Sequence, residues 1–400
     1  MTAQQQEPMP YPFTPAESIY HPSPEYADLR ERCPVPRIAL PDGTTAYLAT
    51  RHADVRQVLT DPRFSRAAAA GPDRPTRELG SLATDSLIGM DPPRHTQVRK
   101  VVSHAFTFRR VEALRPKVAE LIAGMIDRME AQPRPVDLIE YLSAPLPIYV
   151  ISELFGIAPE DQDDVRRWSD ALVGDWDADP EGPQAALDAF GEMIAARRRT
   201  PGNDLMSALI AAWDTQEGLT ERELIAVTAG VFVGGHETTT NQINLFLLVL
   251  LRHPDQLSTL DGHDPEAVSR AVEELSRFIQ LGDNGVLLPR VTTEEVSLGG
   301  VLIPAGSPVL PAIVSGNRDS TVFAGADRLD VQRASTQHLG FGAGPHHCLG
   351  AALARMELQE ALGAMLRRLP GLRLAVPEED LRFKPGLVVR SLETLPVTWD

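Results

Sequence analysis

The stretch from Leu219 to His253 limits most sharply what this chain can become. Its apolar residues recur with helical spacing, Thr220-Glu-Arg-Glu223 reads as a capping box at its start, and His253-Pro254 ends it. The apolar run from Leu224 to Leu251 has the length of a membrane span, yet GGHETTTNQ at 234–242 places a charge and many polar groups at its centre. A span does not carry those groups there. The flanks TAGVFV and INLFLLVLL are too apolar for a surface helix. The segment must therefore cross the interior of a large core, which 400 residues with 43% hydrophobic content can build.

Further helical periodicity covers His52–Thr60, Arg94–Phe106, Val111–Gln132, Leu138–Leu154, Pro159–Val173, Pro183–Arg198, Asn203–Trp213, Pro265–Phe278 and Ala351–Leu369. Strand signals are short: Thr44–Thr50, several strands with Gly-Gly and Pro-Ala-Gly turns within Arg290–Leu310, and a hairpin pair in LRFKPGLVVRSLETLPVTW. Residues 1–33 are Pro-rich and are expected to be irregular. With no repeat and no low-complexity linker, one mainly α domain with minor β, spanning 1–400, is predicted.

Lys+Arg 38 against Asp+Glu 55 gives a formal charge of −17, which argues against nucleic-acid binding. Cys33 and Cys348 make no disulfide framework, and the N-terminal residues carry no signal-peptide pattern. A cytoplasmic, reducing location without a membrane anchor is expected.

Cys348 stands in FGAGPHHCLG, Phe341–Gly350, just before a helix. A helix start lowers a thiol pKa, and a thiolate is the form that ligates metal. Gly342, Gly344 and Gly350 let the backbone bend and let something approach closely. Three readings remain open at this point: a buried structural cysteine, a zinc site from His338, His346, His347 and Cys348 that lacks the usual paired spacings, and a haem with Cys348 as axial ligand.

The ten residues match F-G-x-G-x-H-x-C-x-G at each defining position and resemble the cysteine-ligand loop of the cytochromes P450. The resemblance extends roughly from Pro34 to Trp399. It implies a triangular helical bundle with small β-sheets around a buried haem b (iron protoporphyrin IX), with Cys348 as the iron ligand and His346 beside a haem propionate. It gives His347 no role. Phe341 and Gly350 belong to the same haem-binding loop.

Glu274-Leu-Ser-Arg277 resembles the family's E-x-x-R pair, and Arg328, in an eroded F-x-P-x-R-F region, stands where a third, structural member is expected. Gly234-Gly235-His236-Glu237-Thr238-Thr239 resembles the oxygen-activation motif. There paired glycines leave room for dioxygen, and a mid-helix hydroxyl opens a local bulge. Thr238 is expected to hydrogen-bond the reacting oxygen and Glu237 to relay protons as catalytic residues, with Gly235 and Thr239 against the haem. His95 and Arg99, four apart on one helix, and Arg290 resemble further propionate partners.

The resemblance implies monooxygenation. Electrons would come from NAD(P)H through a separate reductase and ferredoxin, to a monomer whose docking face includes Arg94, Lys100, Arg109, Arg110, Arg115 and Lys117. By family topology the pocket is drawn from Ala67–Leu87, Leu172–Phe190, Thr228–Val233, Val286–Leu288 and Gly386–Val389, with Val231, Val233, Gly234, Val286, Leu287, Leu288, Val388 and Val389 as lining residues. Their apolar character suits a bulky hydrophobic small molecule. The sequence resembles actinobacterial enzymes that decorate macrolide, polyketide or peptide antibiotics. A steroid, terpenoid or fatty-acid hydroxylase is the alternative, and a non-catalytic haem sensor the alternative of another class.

Overall fold

The structure, a computed structural model, describes residues 7–13, 21–70, 85–173, 179–279, 281–282, 288–334, 337–384 and 389–400, with 104, 105 and 173 by their backbone alone. In chain order the helices of eight residues or more are α1 (Glu25–Arg32), α2 (His52–Thr60), α3 (Arg94–Ala105), α4 (Phe108–Glu130), α5 (Pro145–Phe155), α6 (Gln162–Val173), α7 (Gly182–Arg199), α8 (Leu205–Asp214), α9 (Glu221–Arg252), α10 (Pro265–Phe278) and α11 (Ala351–Arg368). The strands are β1 (Met9–Pro10), β2 (Arg37–Ala39), β3 (Thr45–Ala49), β4 (Phe64–Ser65), β5 (Val136–Asp137), β6 (Arg290–Thr292), β7 (Val296–Leu298), β8 (Val301–Ile303), β9 (Pro308–Pro311), β10 (Arg373–Leu374) and β11 (Pro396–Thr398). The chain is mainly α with small sheets. Among the described residues no helix is long and apolar enough to cross a membrane.

The chain forms two compact units, Met1–Gln97 with Glu273–Cys348 and Val98–Val272 with Leu349–Asp400. No change in composition marks the crossings, because two of them fall inside the helices α3 and α10.

The first unit holds a six-stranded sheet in the order β1-β2-β3-β9-β6-β4 and the β7-β8 hairpin. Its interior joins Val35, Tyr47, Val55, Val58, Phe64, Leu298 and Val309. Residues 1–33 are not irregular throughout. β1 pairs with β2, and α1 buries Tyr26 and Leu29. The acidic residues Glu25 and Asp28 in the first turn of α1, and Arg30 and Arg32 in its last, complement the helix dipole, a signal that the prolines obscured.

Glu274 and Arg277, both fully buried, form an ion pair with two 2.8 Å hydrogen bonds. Arg277 also donates to the carbonyls of Asn317, Ala326 and Arg328. The position expected for the Arg328 side chain belongs instead to Arg333, whose Nε donates to Glu274 Oε2 at 2.9 Å. Arg328 is exposed and contributes only its carbonyl. Arg333→Met is therefore expected to cost about 1.5–3 kcal/mol, the loss of a hydrogen bond to a buried charge. Arg328→Met should stay within about 0.5 kcal/mol. Urea denaturation of the two variants checks this, and equal destabilisation would reverse the assignment.

The second unit is helical around α9. The predicted capping box is present: Glu223 N–H donates to Thr220 Oγ1 at 3.2 Å and Thr220 N–H to Glu223 Oε2 at 2.9 Å. Phe155 of α5, Phe190 of α7 and Phe232 of α9 meet at ring separations of 4.7 and 5.3 Å. Helical periodicity from Leu138 gives two pieces, a π-helical turn at Ile139–Ser143 and then α5. Of the expected C-terminal hairpin pair, the described residues pair antiparallel: Phe383 bridges Leu392, Lys384 N–H donates to the Ser391 carbonyl at 2.8 Å and Glu393 N–H to the Arg382 carbonyl at 2.9 Å. The strand that follows, β11, pairs with the distant β10 and β5. Short strands with non-local partners leave no local sequence signal.

Candidate functional site

In the first unit the chain from Phe341 to Cys348 folds back on itself. Cys348 N–H donates to the Phe341 carbonyl at 2.8 Å. Gly342 and Gly344 take φ of +71° and +69°, which side-chain-bearing residues rarely adopt. A Cβ on Gly344 would also lie 2.6 Å from the Leu59 carbonyl oxygen. Phe341 is buried, whereas Cys348 is exposed, so the loop presents its thiol outward.

His346 stands against His95, ring centre to ring centre 4.3 Å. His95, in the first turn of α3, is 2% exposed, and Arg290 at the start of β6 is also 2% exposed. Arg290 Nη1 donates to the Leu288 carbonyl at 2.6 Å, and Arg290 makes no ion pair with a described carboxylate. Burial, then the like charge of Arg66, pushes its pKa down to about 9, opposed by Asp91. A guanidinium held in such surroundings attracts a carboxylate.

Arg66 is the residue that sequence reading missed. Its side chain, 4% exposed, donates to the carbonyls of Ile88 and Pro289, and its N–H bonds Asp91 Oδ1. It thereby pins the turn in which Leu288 has φ +62°, the single positive φ of a non-glycine among the described residues. DPRFSRA carries no pattern that separates such an arginine from a surface one.

In the second unit α9 continues as α-helix through Thr238, without the expected bulge. Thr238 Oγ1 does donate to the Gly234 carbonyl at 2.6 Å. While the helix around it is buried, Gly230, Val231, Val233, Gly234, Glu237 and Thr238 are half-buried or exposed. Spacings of three and four put most of them on one face. A Cβ on Gly234 would meet nothing within 4 Å, one on Gly235 would meet Ile151 at 3.5 Å, and one on Gly350, at the start of α11, again nothing. The face has room for a ligand beside the helix backbone.

Glu237 lies on this face. Asn241 Nδ2 donates to its carbonyl at 2.8 Å and to its Oε2 at 3.2 Å. Burial first, then the charge of Asp170, raises the Glu237 pKa, with Lys384, Asn241 and Arg166 opposing. Thr239 is buried, and Arg99, one turn after His95 on α3, is half-buried.

Of the predicted pocket residues, Leu288 and Val389 are half-buried, while Val286, Leu287 and Val388 lie outside the described residues. Of the predicted basic face, Arg115 is committed to Glu112 and Glu360 at 2.8 Å each, and Lys117 to Glu120 at 3.4 Å.

An exposed thiol on a glycine loop, buried basic groups suited to carboxylates, and a helix face with room beside its backbone fit the requirements of haem. A zinc site from the loop finds no such support: among the described residues, the group that brings three ligating side chains together is Asp170, His236 and Glu237, without any residue of the loop.

The family model described as Cytochrome P450 matches residues 184–261 and 266–391. The chain is 43% identical to the mycinamicin IV hydroxylase/epoxidase of Micromonospora griseorubida, over 98% of this chain and 99% of that one. It is 45% identical to the nocardicin C N-oxygenase of Nocardia uniformis subsp. tsuyamanensis, over 97% and 98%. The crystal structure of the LnmA hydroxylase from the leinamycin pathway of Streptomyces atroolivaceus S-140 superposes with a TM-score of 0.89, at 40% identity, over 98% of this chain and 100% of that one.

Proposed function

We propose, for a chain that belongs to the cytochrome P450 family and is thus a haem-dependent monooxygenase, that the substrate is a bulky, largely apolar natural product, a macrolide or peptide-antibiotic intermediate. The names of the relatives acting on mycinamicin and nocardicin support this substrate class, as does the apolar character of the α9 face beside Val231 and Val233. One oxygen atom of O2 enters the substrate as a hydroxyl or epoxide, and the other leaves as water with two electrons and two protons. The observation that carries the catalytic reading is the pairing of Glu237 with Thr238 on the uncovered face of an otherwise buried helix.

Haem, when bound, would supply oxygen activation at its iron, favoured by thiolate ligation. Cys348 would hold the iron as that thiolate. His346, His95, Arg99 and Arg290 would offset the propionate charges, and Arg290 would bring a desolvated guanidinium to that task. Glu237 holds a proton at its carboxyl to higher pH than an exposed glutamate, and Asn241 fixes the orientation of that carboxyl. Thr238 Oγ1, which donates to Gly234, can turn its hydrogen toward the open face and pass a proton on. Electrons arrive one at a time from a ferredoxin served by an NAD(P)H-dependent reductase. Its docking face centres on Lys100, Arg109 and Arg110, with Phe108, 71% exposed, between them in sequence.

Titration of the purified haem protein with panels of macrolides, steroids and fatty acids tests the substrate class. Macrolides are expected to displace the iron-bound water, seen in the Soret band, and to gain one oxygen atom when ferredoxin, reductase and NADPH are supplied. A response to steroids or fatty acids alone would overturn the macrolide reading.

A further inference from the structure

Asp170 of α6 and the adjacent pair His236 and Glu237 of α9 form a cluster that oxygen chemistry uses only in part. One ligating atom from each lies within 4.8 Å of the other two. His236 Nδ1 is 3.9 Å from Asp170 Oδ1. The imidazole is 4% exposed, and Nδ1 has no hydrogen-bond partner among the described residues. A buried polar atom in that state is costly to stability unless something completes it. Asp170 is 49% exposed, which opens the cluster to solvent.

We propose that Asp170, His236 and Glu237 bind a zinc-class divalent cation, and that its occupancy withdraws the Glu237 carboxylate from proton transfer. The second clause rests on the catalytic reading of Glu237 above; the first does not.

Imidazole nitrogen and carboxylate oxygen are both donors that zinc accepts, and three protein ligands leave the fourth position to water. Ligands at ~2.0 Å from a tetrahedral ion stand about 3.3 Å apart. Side-chain rotation must therefore close the present separations by roughly 1 Å, and the half-exposed Asp170 has the freedom to do so. Burial, with Arg166 and Lys384, pushes the His236 pKa down to about 4, so Nδ1 or Nε2 is unprotonated near neutral pH. Burial also raises both carboxyls, and a dication reverses that penalty. Arg166 and Lys384 oppose the ion. Arg166, however, approaches Asp170 only to 3.9 Å from a half-exposed position, a weak pair beside direct coordination.

Equilibrium dialysis of the haem-loaded protein against zinc measures binding in wild type, His236→Gln and Asp170→Asn. The carbon monoxide spectrum of each variant verifies an intact haem site. One zinc per chain is expected, weakened at least about tenfold by either substitution, with magnesium, which prefers six oxygen ligands, failing to compete. No bound zinc, binding by both variants as tight as that of wild type, or equal competition by magnesium overturns the site. In the same preparation zinc should slow product formation at least about tenfold. Zinc that binds through these residues and leaves turnover unchanged would uphold the site and overturn the proton-relay reading of Glu237 instead.

Discussion

Serine in place of Cys348 is expected to reduce turnover by at least about 10³-fold, equivalent to ~4 kcal/mol of transition-state stabilisation. A hydroxyl does not ionise near neutral pH and is a hard donor, so it supplies neither the soft ligand nor the electron density that favours O–O cleavage. The exchange leaves the loop itself intact. The bond that closes it runs from the backbone N–H of Cys348 to Phe341, and the side chain is exposed. Apoprotein stability should accordingly change by no more than about 0.5 kcal/mol. The reduced carbon monoxide adduct of the variant should lose the thiolate-type Soret position. Turnover at the wild-type rate would remove Cys348 from the site.

Glu237→Gln is expected to slow product formation by about 10²-fold, the lower range for a positioned acid. The amide oxygen of glutamine still accepts from Asn241 Nδ2, so the side chain keeps its place while losing its proton. In wild type the rate should fall as pH rises through the raised Glu237 pKa, and this limb should vanish in the variant. The linkage has a definite sign. A carboxyl whose folded pKa lies above its unfolded value binds more protons when folded, so stability declines as pH rises between the two. Glutamine escapes that decline, and its melting temperature at pH 8 should be no lower than that of wild type. An unchanged rate with an unchanged pH profile would show that protons reach the oxygen by another route.

What the sequence disclosed follows from how local each device is. The capping box of α9 was legible because Thr220 and Glu223 satisfy each other within one turn. The Cys348 loop was legible because its glycines, histidine and cysteine crowd into ten residues. Arg328 and Arg333 are five positions apart in an irregular loop, and nothing local says which of them turns back to Glu274. Asp170 and His236 are separated by 66 residues, so their approach depends on the packing of α6 against α9. Arg66 acts through backbone carbonyls, which have no identity in a sequence.

The way the chain is divided bears on its birth at the ribosome. The first unit needs Glu273–Cys348 before its sheet is complete, because β3 waits for β9. The second needs Leu349–Asp400, which bring α11 and the strands β10 and β11. Neither unit can finish while its nascent partner segments are still being translated, so the apolar flanks of α9 emerge long before their last neighbours. At elongation rates of about 5–20 residues per second, the roughly 150 residues after α9 take on the order of ten seconds or more to synthesise. For that interval the apolar flanks of α9 lack their last neighbours, the kind of transiently exposed surface from which aggregation starts.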